Sequence, residues 1–354
     1  MNATQSACLV LSTDSFWLES ILILDMPTRF PIVASLRALV LATALSVGLC
    51  ACGGASQTAT EDAAPVAAYS EVPLTYDDSA YAVVPVTIGG QELPFLLDTA
   101  AYPSILTPWA LDTLGLAQSA DTMQVGGATG QSTARVVPID SIQIGTRTVR
   151  NLEAPIVDLS RAKRSDIRHA GIFGNRALKN FDVVYDLPNE RLRLYPIITD
   201  SVSQVAGLDT LQRVPFEDVY GGAGGFVTFP LSVGEGDVRA IMDTGSPITI
   251  FNWEAAALGG ATRETATNIG TVSGLQATSV DLYRHVFSDI RVGDLQFGPV
   301  ETRVADLPVF RRLGLEGEAA IVGNDFLANR IVVIAYSTGH VYFSSPLRQD
   351  SSPS

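Results

Sequence analysis

From about residue 72 onward the chain alternates short apolar runs with brief polar breaks, and few stretches hold a helical period for long. Runs rich in Val, Ile, Leu, Phe and Tyr at 83–88, 94–97, 141–144 and 181–185 are bounded by Gly, Pro, Asn and Asp, the signature of strands between turns. Residues 109–116 and 252–258 carry the clearest helical patterns and predict two short helices. The pattern describes a mostly β chain.

It also repeats. Residues 84–100 align with 229–245, each a strand, a turn containing Gly, and a second strand ending in Asp-Thr. Pro103 and Pro247 open matching short apolar runs, and the two predicted helices follow. Farther on, 125–130 align with 269–274, and 171–186 with 320–335. The aspartates Asp98 and Asp243 lie 145 residues apart, Gly174 and Gly323 149 apart. Self-similarity at a fixed long period marks one β unit of roughly 130–150 residues used twice.

Composition narrows the chemistry. A net charge of −14 argues against a broad nucleic-acid surface. The three cysteines, Cys8, Cys50 and Cys52, precede the repeat, which removes disulfides, cysteine-ligated zinc and a catalytic cysteine from it. Only three histidines are present, so a histidine-rich metal site is not expected.

An aspartate closing an apolar strand is expensive to bury in its ionised form, yet Asp98 and Asp243 do so at equivalent positions of both copies. If the copies pack about a pseudo-twofold axis, equivalent residues near the axis meet. Two carboxyls at hydrogen-bonding distance cannot both ionise easily; they share one proton and titrate as a pair. The ionised member can take a proton from water while the protonated member donates to a carbonyl oxygen, a general base and a general acid in one place.

Asp98-Thr99-Ala100 and Asp243-Thr244-Gly245-Ser246, with apolar-apolar-Gly at Ile172-Phe173-Gly174 and Ile321-Val322-Gly323, resemble the pepsin-type and retropepsin-type aspartic proteases. The resemblance spans nearly all of residues 80–345. It implies an all-β, bilobal acid-protease fold with two homologous barrel-like lobes and short helices, closer to two fused retropepsin-like units than to a large pepsin. The implied function is an aspartic endopeptidase with catalytic Asp98 and Asp243 and no cofactor or metal, acting on a peptide or unfolded protein in the interlobe cleft. By the same resemblance Thr99 and Thr244 donate across the axis, and Gly174 and Gly323 lie beneath the aspartate loops where a Cβ would intrude. Ala100, Gly245 and Ser246 complete those loops. Gly126, Gly127 and Gly130, or Gly270 and Gly274, belong to hairpin flaps. The first loop departs from the family pattern by reading Asp-Thr-Ala. If that backbone needs positive φ or a close approach, the alternative is a catalytically silent, peptide-binding pseudoprotease.

The implied domains are an N-terminal lobe at 73–205, a C-terminal lobe at 206–346 and a tail at 347–354, with two fused halves removing the need to dimerise. Residues 1–51 read as a signal peptide whose true start is Met26, since Arg29 and Arg37 precede an apolar run at 38–49 too short for a membrane span. Leu49-Cys50-Ala51-Cys52 resembles a bacterial lipobox, implying lipidation of Cys52 and anchoring to the envelope. Gly53 rather than Asp follows, which implies the outer membrane facing the periplasm, with 52–72 as a flexible tether. The cations Arg161, Lys163, Arg164 and Arg168 read as a solvated loop, and the glycine-rich stretch 221–225 as an interlobe turn. Asp182 and Asp186 are expected at turns or on the surface. Tyr102 lines the cleft or packs in the core.

Overall fold

The computed structural model describes residues 16–17, 69–127, 131–159, 167–197, 202, 205, 207–219, 225–273 and 279–346. Cys52, Gly130, Gly274, the basic residues Arg161, Lys163 and Arg164, the tail, and all of the expected signal peptide except 16–17 lie outside these residues. Among the described residues no helix is long and apolar enough to cross a membrane.

Each half builds a curled sheet around its aspartate strand. In the N-terminal half the order runs Ile105–Leu106, Gly171–Gly174, Gln91–Asp98, Ala82–Ile88, Gln131–Ile144 and Thr122–Gly126, with Thr75–Tyr76 and Arg147–Pro155 attached. The C-terminal half repeats the central motif: Ile250–Phe251, Ala319–Val322, Gly236–Met242 and Phe226–Val233 lie side by side in an eleven-stranded sheet. That sheet also takes in Phe16–Trp17, from the stretch read as leader, running parallel to Val272–Ser273. The hairpin joining Ala82–Ile88 to Gln91–Asp98 turns on Gly89 and Gly90, both at positive φ (58° and 82°), which suits a two-residue turn of the mirror-image kind.

Register corrects one detail of the internal alignment. Ile105 pairs with Ile172, and Ile250 with Ile321, so the 145-residue offset persists past the aspartates. Pro103 is therefore equivalent to Ile248, and Pro247 to Tyr102. The short helices follow as expected. Thr107 caps Pro108–Leu114 by accepting from the Ala110 amide at 3.3 Å, and Gly115 ends it at φ 63°. Asn252 caps Trp253–Leu258 through the Ala255 amide at 2.9 Å.

A third sheet joins the halves. Its six strands run Gln212–Pro215, His340–Phe343, Ile331–Ala335, Phe181–Asp186, Arg191–Pro196 and Ser70–Pro73, three from each half in mirrored order. The central pair is antiparallel and places Val184 opposite Val333. These are equivalent residues of the two copies, so the pseudo-twofold axis passes between them. Both faces are covered. Val183, Tyr185, Val332 and Ile334 face the main core, whereas Val184, Val333 and Tyr195 pack under Val202 and Val205. This two-sided burial explains the continuous apolar runs at 181–185 and 331–335.

Two expectations change here. The tether stops short of residue 72, because Ser70–Pro73 is the outer strand of this sheet, with Ser70 and Val72 buried in alternation. Asp182 and Asp186 are not surface residues; both are buried. Asp182 accepts from the Ser337 amide (2.9 Å) and hydroxyl (2.6 Å), and Asp186 pairs with Arg193 at 3.1 Å.

Candidate active site

The two aspartates end equivalent strands, each lying against a parallel partner. Gly174 sits beside Asp98 in register, and the Asp243 amide donates to the Val322 carbonyl at 2.9 Å. The partner strands leave the site through Gly174 and Gly323, where the backbone passes directly beneath the next loop. A Cβ on Gly174 would lie 2.4 Å from the Pro103 carbonyl oxygen, and one on Gly323 2.4 Å from that of Ile248. Only glycine fits. Ser104 and Thr249 make the same contact on each side, accepting from the Gly174 amide at 3.2 Å and the Gly323 amide at 3.0 Å. Sequence reasoning missed this pair, because aligning the two prolines puts Ser104 and Thr249 out of register.

The threonines lock the loops to each other. Thr99 Oγ1 donates to the Met242 carbonyl (2.7 Å) and accepts from the Thr244 amide (3.1 Å). Thr244 Oγ1 donates to the Leu97 carbonyl (2.9 Å) and accepts from the Thr99 amide (3.1 Å). Four bonds related by the pseudo-twofold thus hold the two loops together, each threonine hydroxyl donating once and accepting once.

Asp98 and Asp243 are both buried, and each carboxyl lies near enough to influence the titration of the other. Their surroundings differ. The Ala100 amide donates to Asp98 Oδ1 at 2.7 Å. The Gly245 and Ser246 amides approach Asp243 without reaching good hydrogen-bond geometry, leaving both its oxygens without a donor among the described residues. Burial pushes Asp98 above the ordinary carboxylate range, and the amides of Ala100 and Ala101 pull it partly back. Asp243 is pushed up further, first by burial and then by the charge of Asp98. The pair titrates as a unit, and the Ala100 amide favours the charged form on the Asp98 side.

Ala100 and Gly245 are equivalent but not interchangeable. Ala100 is buried, is not among the residues at positive φ, and belongs to the apolar cluster that holds Phe226, Ile241 and Ile250. A Cβ on Gly245 would lie 2.4 Å from Asp98 Cγ. The departure from Asp-Thr-Gly falls in the loop that has room for it. Ser246 turns from the carboxyls and donates to the Ile248 carbonyl at 2.7 Å.

The two hairpins read as flap candidates form paired strands, Thr122–Gly126 with Gln131–Ile144 and Thr267–Ser273 with Ser279–Phe287. Gly126 and Gly127 are buried, and the Gly127 carbonyl accepts from the Arg312 guanidinium of the C-terminal half. Gly270 stands at a register shift with φ 117°. Tyr102 packs in a cluster with Tyr81, Val125 and Leu159, its core reading. Arg168 is exposed, as expected, with its guanidinium 4.7 Å from the centre of the Trp109 ring. No cluster of three or more His, Cys, Asp or Glu among the described residues is placed to hold a metal ion.

A family model described as aspartyl protease matches residues 84–177 and 229–326, one segment around each aspartate. The crystal structure of an aspartic proteinase from Irpex lacteus superposes with a TM-score of 0.51 at 15% identity, covering 80% of this chain and 99% of that one. That likeness is one of fold. No curated protein matches the sequence.

Proposed function

Because the chain belongs to the aspartyl protease family, whose model matches once in each half, we propose that it is an aspartic endopeptidase acting through a water held between Asp98 and Asp243. The observation that carries this reading is the meeting of two buried carboxyls from equivalent loops, tied together by the threonine cross-bonds. The shared-proton mechanism is the established one for aspartic proteases; the assignment of roles comes from this site.

Asp98, ionised and held by the Ala100 amide, takes a proton from the water as its oxygen attacks the scissile carbonyl carbon. Asp243 gives its proton to the carbonyl oxygen, so the tetrahedral adduct is a neutral diol. On collapse Asp243 takes back a proton from one hydroxyl and Asp98 gives its proton to the leaving nitrogen. The C–N bond breaks, an acid and an amine leave, and the dyad returns to its starting state.

A peptide bearing a secondary hydroxyl in place of the scissile carbonyl mimics the adduct. Calorimetry should show it binding ~100-fold or more tighter than the same peptide without the hydroxyl, as for a transition-state analogue. Equal affinities favour the silent peptide-binding alternative. Export and lipid anchoring at Cys52 belong to the same proposal. A diacylglyceryl mass on the N-terminal peptide supports the anchor, and an unmodified Cys52 ends it.

A further inference from the structure

The repeated apolar-apolar-Gly motif continues into an asparagine in both copies, Asn175 and Asn324, and the mechanism above uses neither. Both are buried, directly beneath the aspartate loops. Their backbone amides act alike: Asn175 donates to the Ala101 carbonyl at 2.6 Å, Asn324 to the Ser246 carbonyl at 2.8 Å. Each main chain therefore grips the aspartate loop of its own half.

The side chains cross to the other half. Asn175 Nδ2 donates to the Gly225 carbonyl at 2.5 Å, and Asn175 Oδ1 accepts from the Tyr336 hydroxyl; Gly225 and Tyr336 belong to the C-terminal half. Burial, then the charge of Asp218, pushes the Tyr336 phenol up, which keeps it a donor. In the reciprocal direction Asn324 Nδ2 donates to the Ala80 carbonyl of the N-terminal half at 3.3 Å. The same nitrogen donates at 2.9 Å to the Thr244 carbonyl, one residue past Asp243.

We propose that Asn175 and Asn324 are positioning residues that set the separation of the two aspartate loops, each by bonding its own loop through the main chain and the opposite half through the side chain. The threonines fix the loops against each other at the axis. The asparagines fix each loop to the body of the molecule on the far side, so the carboxyl gap cannot widen when one half shifts. The two clamps are unequal. Asn175 uses both side-chain polar atoms, whereas Asn324 Oδ1 is buried without a partner among the described residues. The better-braced loop is that of Asp98, the carboxyl that must ionise. A buried donor or acceptor stripped of its partner is strongly disfavoured, enough to move a loop held by so few bonds.

This inference rests on the endopeptidase reading for its catalytic meaning but not for its test. Full-length wild-type, Asn175→Ala, Asn324→Ala and Tyr336→Phe proteins are titrated by the carboxyl carbon resonances of Asp98 and Asp243, and kcat and KM are measured alongside. Tyr185, the phenol that feels the charge of Asp98, is held protonated by burial and does not intrude. A looser gap weakens the coupling, so the two titration steps should approach each other by about one unit, tenfold in proton affinity. In the same variants kcat should fall ~10- to 100-fold with KM little changed. Folded variants that titrate as wild type overturn the proposal. If Asn175→Ala does not fold, Tyr336→Phe carries the test, since its ring still packs on Phe216. Converged titrations in a protein that cleaves nothing would keep the positioning role and remove the peptidase reading. Active variants with unshifted titrations would do the reverse.

Discussion

One methyl group separates Ala100 from its counterpart Gly245, and the space around it decides what each position tolerates. Gly245→Ala drives a Cβ into the Asp98 carboxyl, where the available distance to Cγ is 2.4 Å. Steady-state kinetics should show kcat reduced by ~100-fold or more, as for a displacement of about 1 Å at a reacting group. Ala100→Gly leaves kcat near wild type and costs about 1 kcal/mol in stability through lost packing and added chain freedom. Charge gives a second prediction at this scale. Both carboxyls have folded-state pKa values raised above that of an unfolded Asp, ~3.9. The native state then holds more protons than the unfolded one above that pH, so stability falls as pH rises through the raised values. Asp243→Asn removes one of the two raised groups; its melting temperature should gain on wild type between acidic and neutral pH, while cleavage is lost. A constant difference across pH contradicts the raised titration of the pair. The aspartates, threonines and glycines could be read from the sequence because both copies spell them alike. Ser104 and Thr249 could not, because different residue types perform one contact.

Elements transmit these constraints. The threonine hydroxyls make mirror-image bonds between strand ends, each with one carbonyl and one amide of the opposite half. Thr99→Val and Thr244→Val keep side-chain shape and orphan the same groups, so urea denaturation should show similar losses, about 1–3 kcal/mol each. A neutral effect at either position would mean the two bond sets are not equivalent. Element ends were harder to read than element centres. Gln131–Ile144 is one strand of 14 residues where the apolar pattern marks only 141–144. It opens with three exposed polar residues, 131–133, buries Val136 and Val137 in succession and carries Pro138 at an exposed position, a pattern set by hairpin pairing more than by hydrophobicity. Ser70–Pro73 reads as the end of a tether because four residues carry too little pattern to show that Ser70 and Val72 are buried by a distant strand.

At the scale of the molecule the repeat announced two copies but not the sheet between them. That sheet draws its outer strands from outside the repeated motifs, and its mirrored order appears only once Val184 and Val333 meet. Each half supplies one carboxyl and half of this sheet, so neither half is complete. A fragment of residues 69–197 alone exposes the paired edge of Phe181–Asp186. Sedimentation should find it associated, or unfolded; a stable folded monomer would contradict the account of the interlobe sheet. The central claim is that one water is activated between two inequivalent carboxyls of a single chain. Its most direct test is mass spectrometry of an unstructured peptide library incubated with wild type, Asp98→Asn and Asp243→Asn from acidic to neutral pH. The account predicts new peptide termini with wild type and none with either variant; cleavage persisting in one variant, or absent in all three, would contradict it.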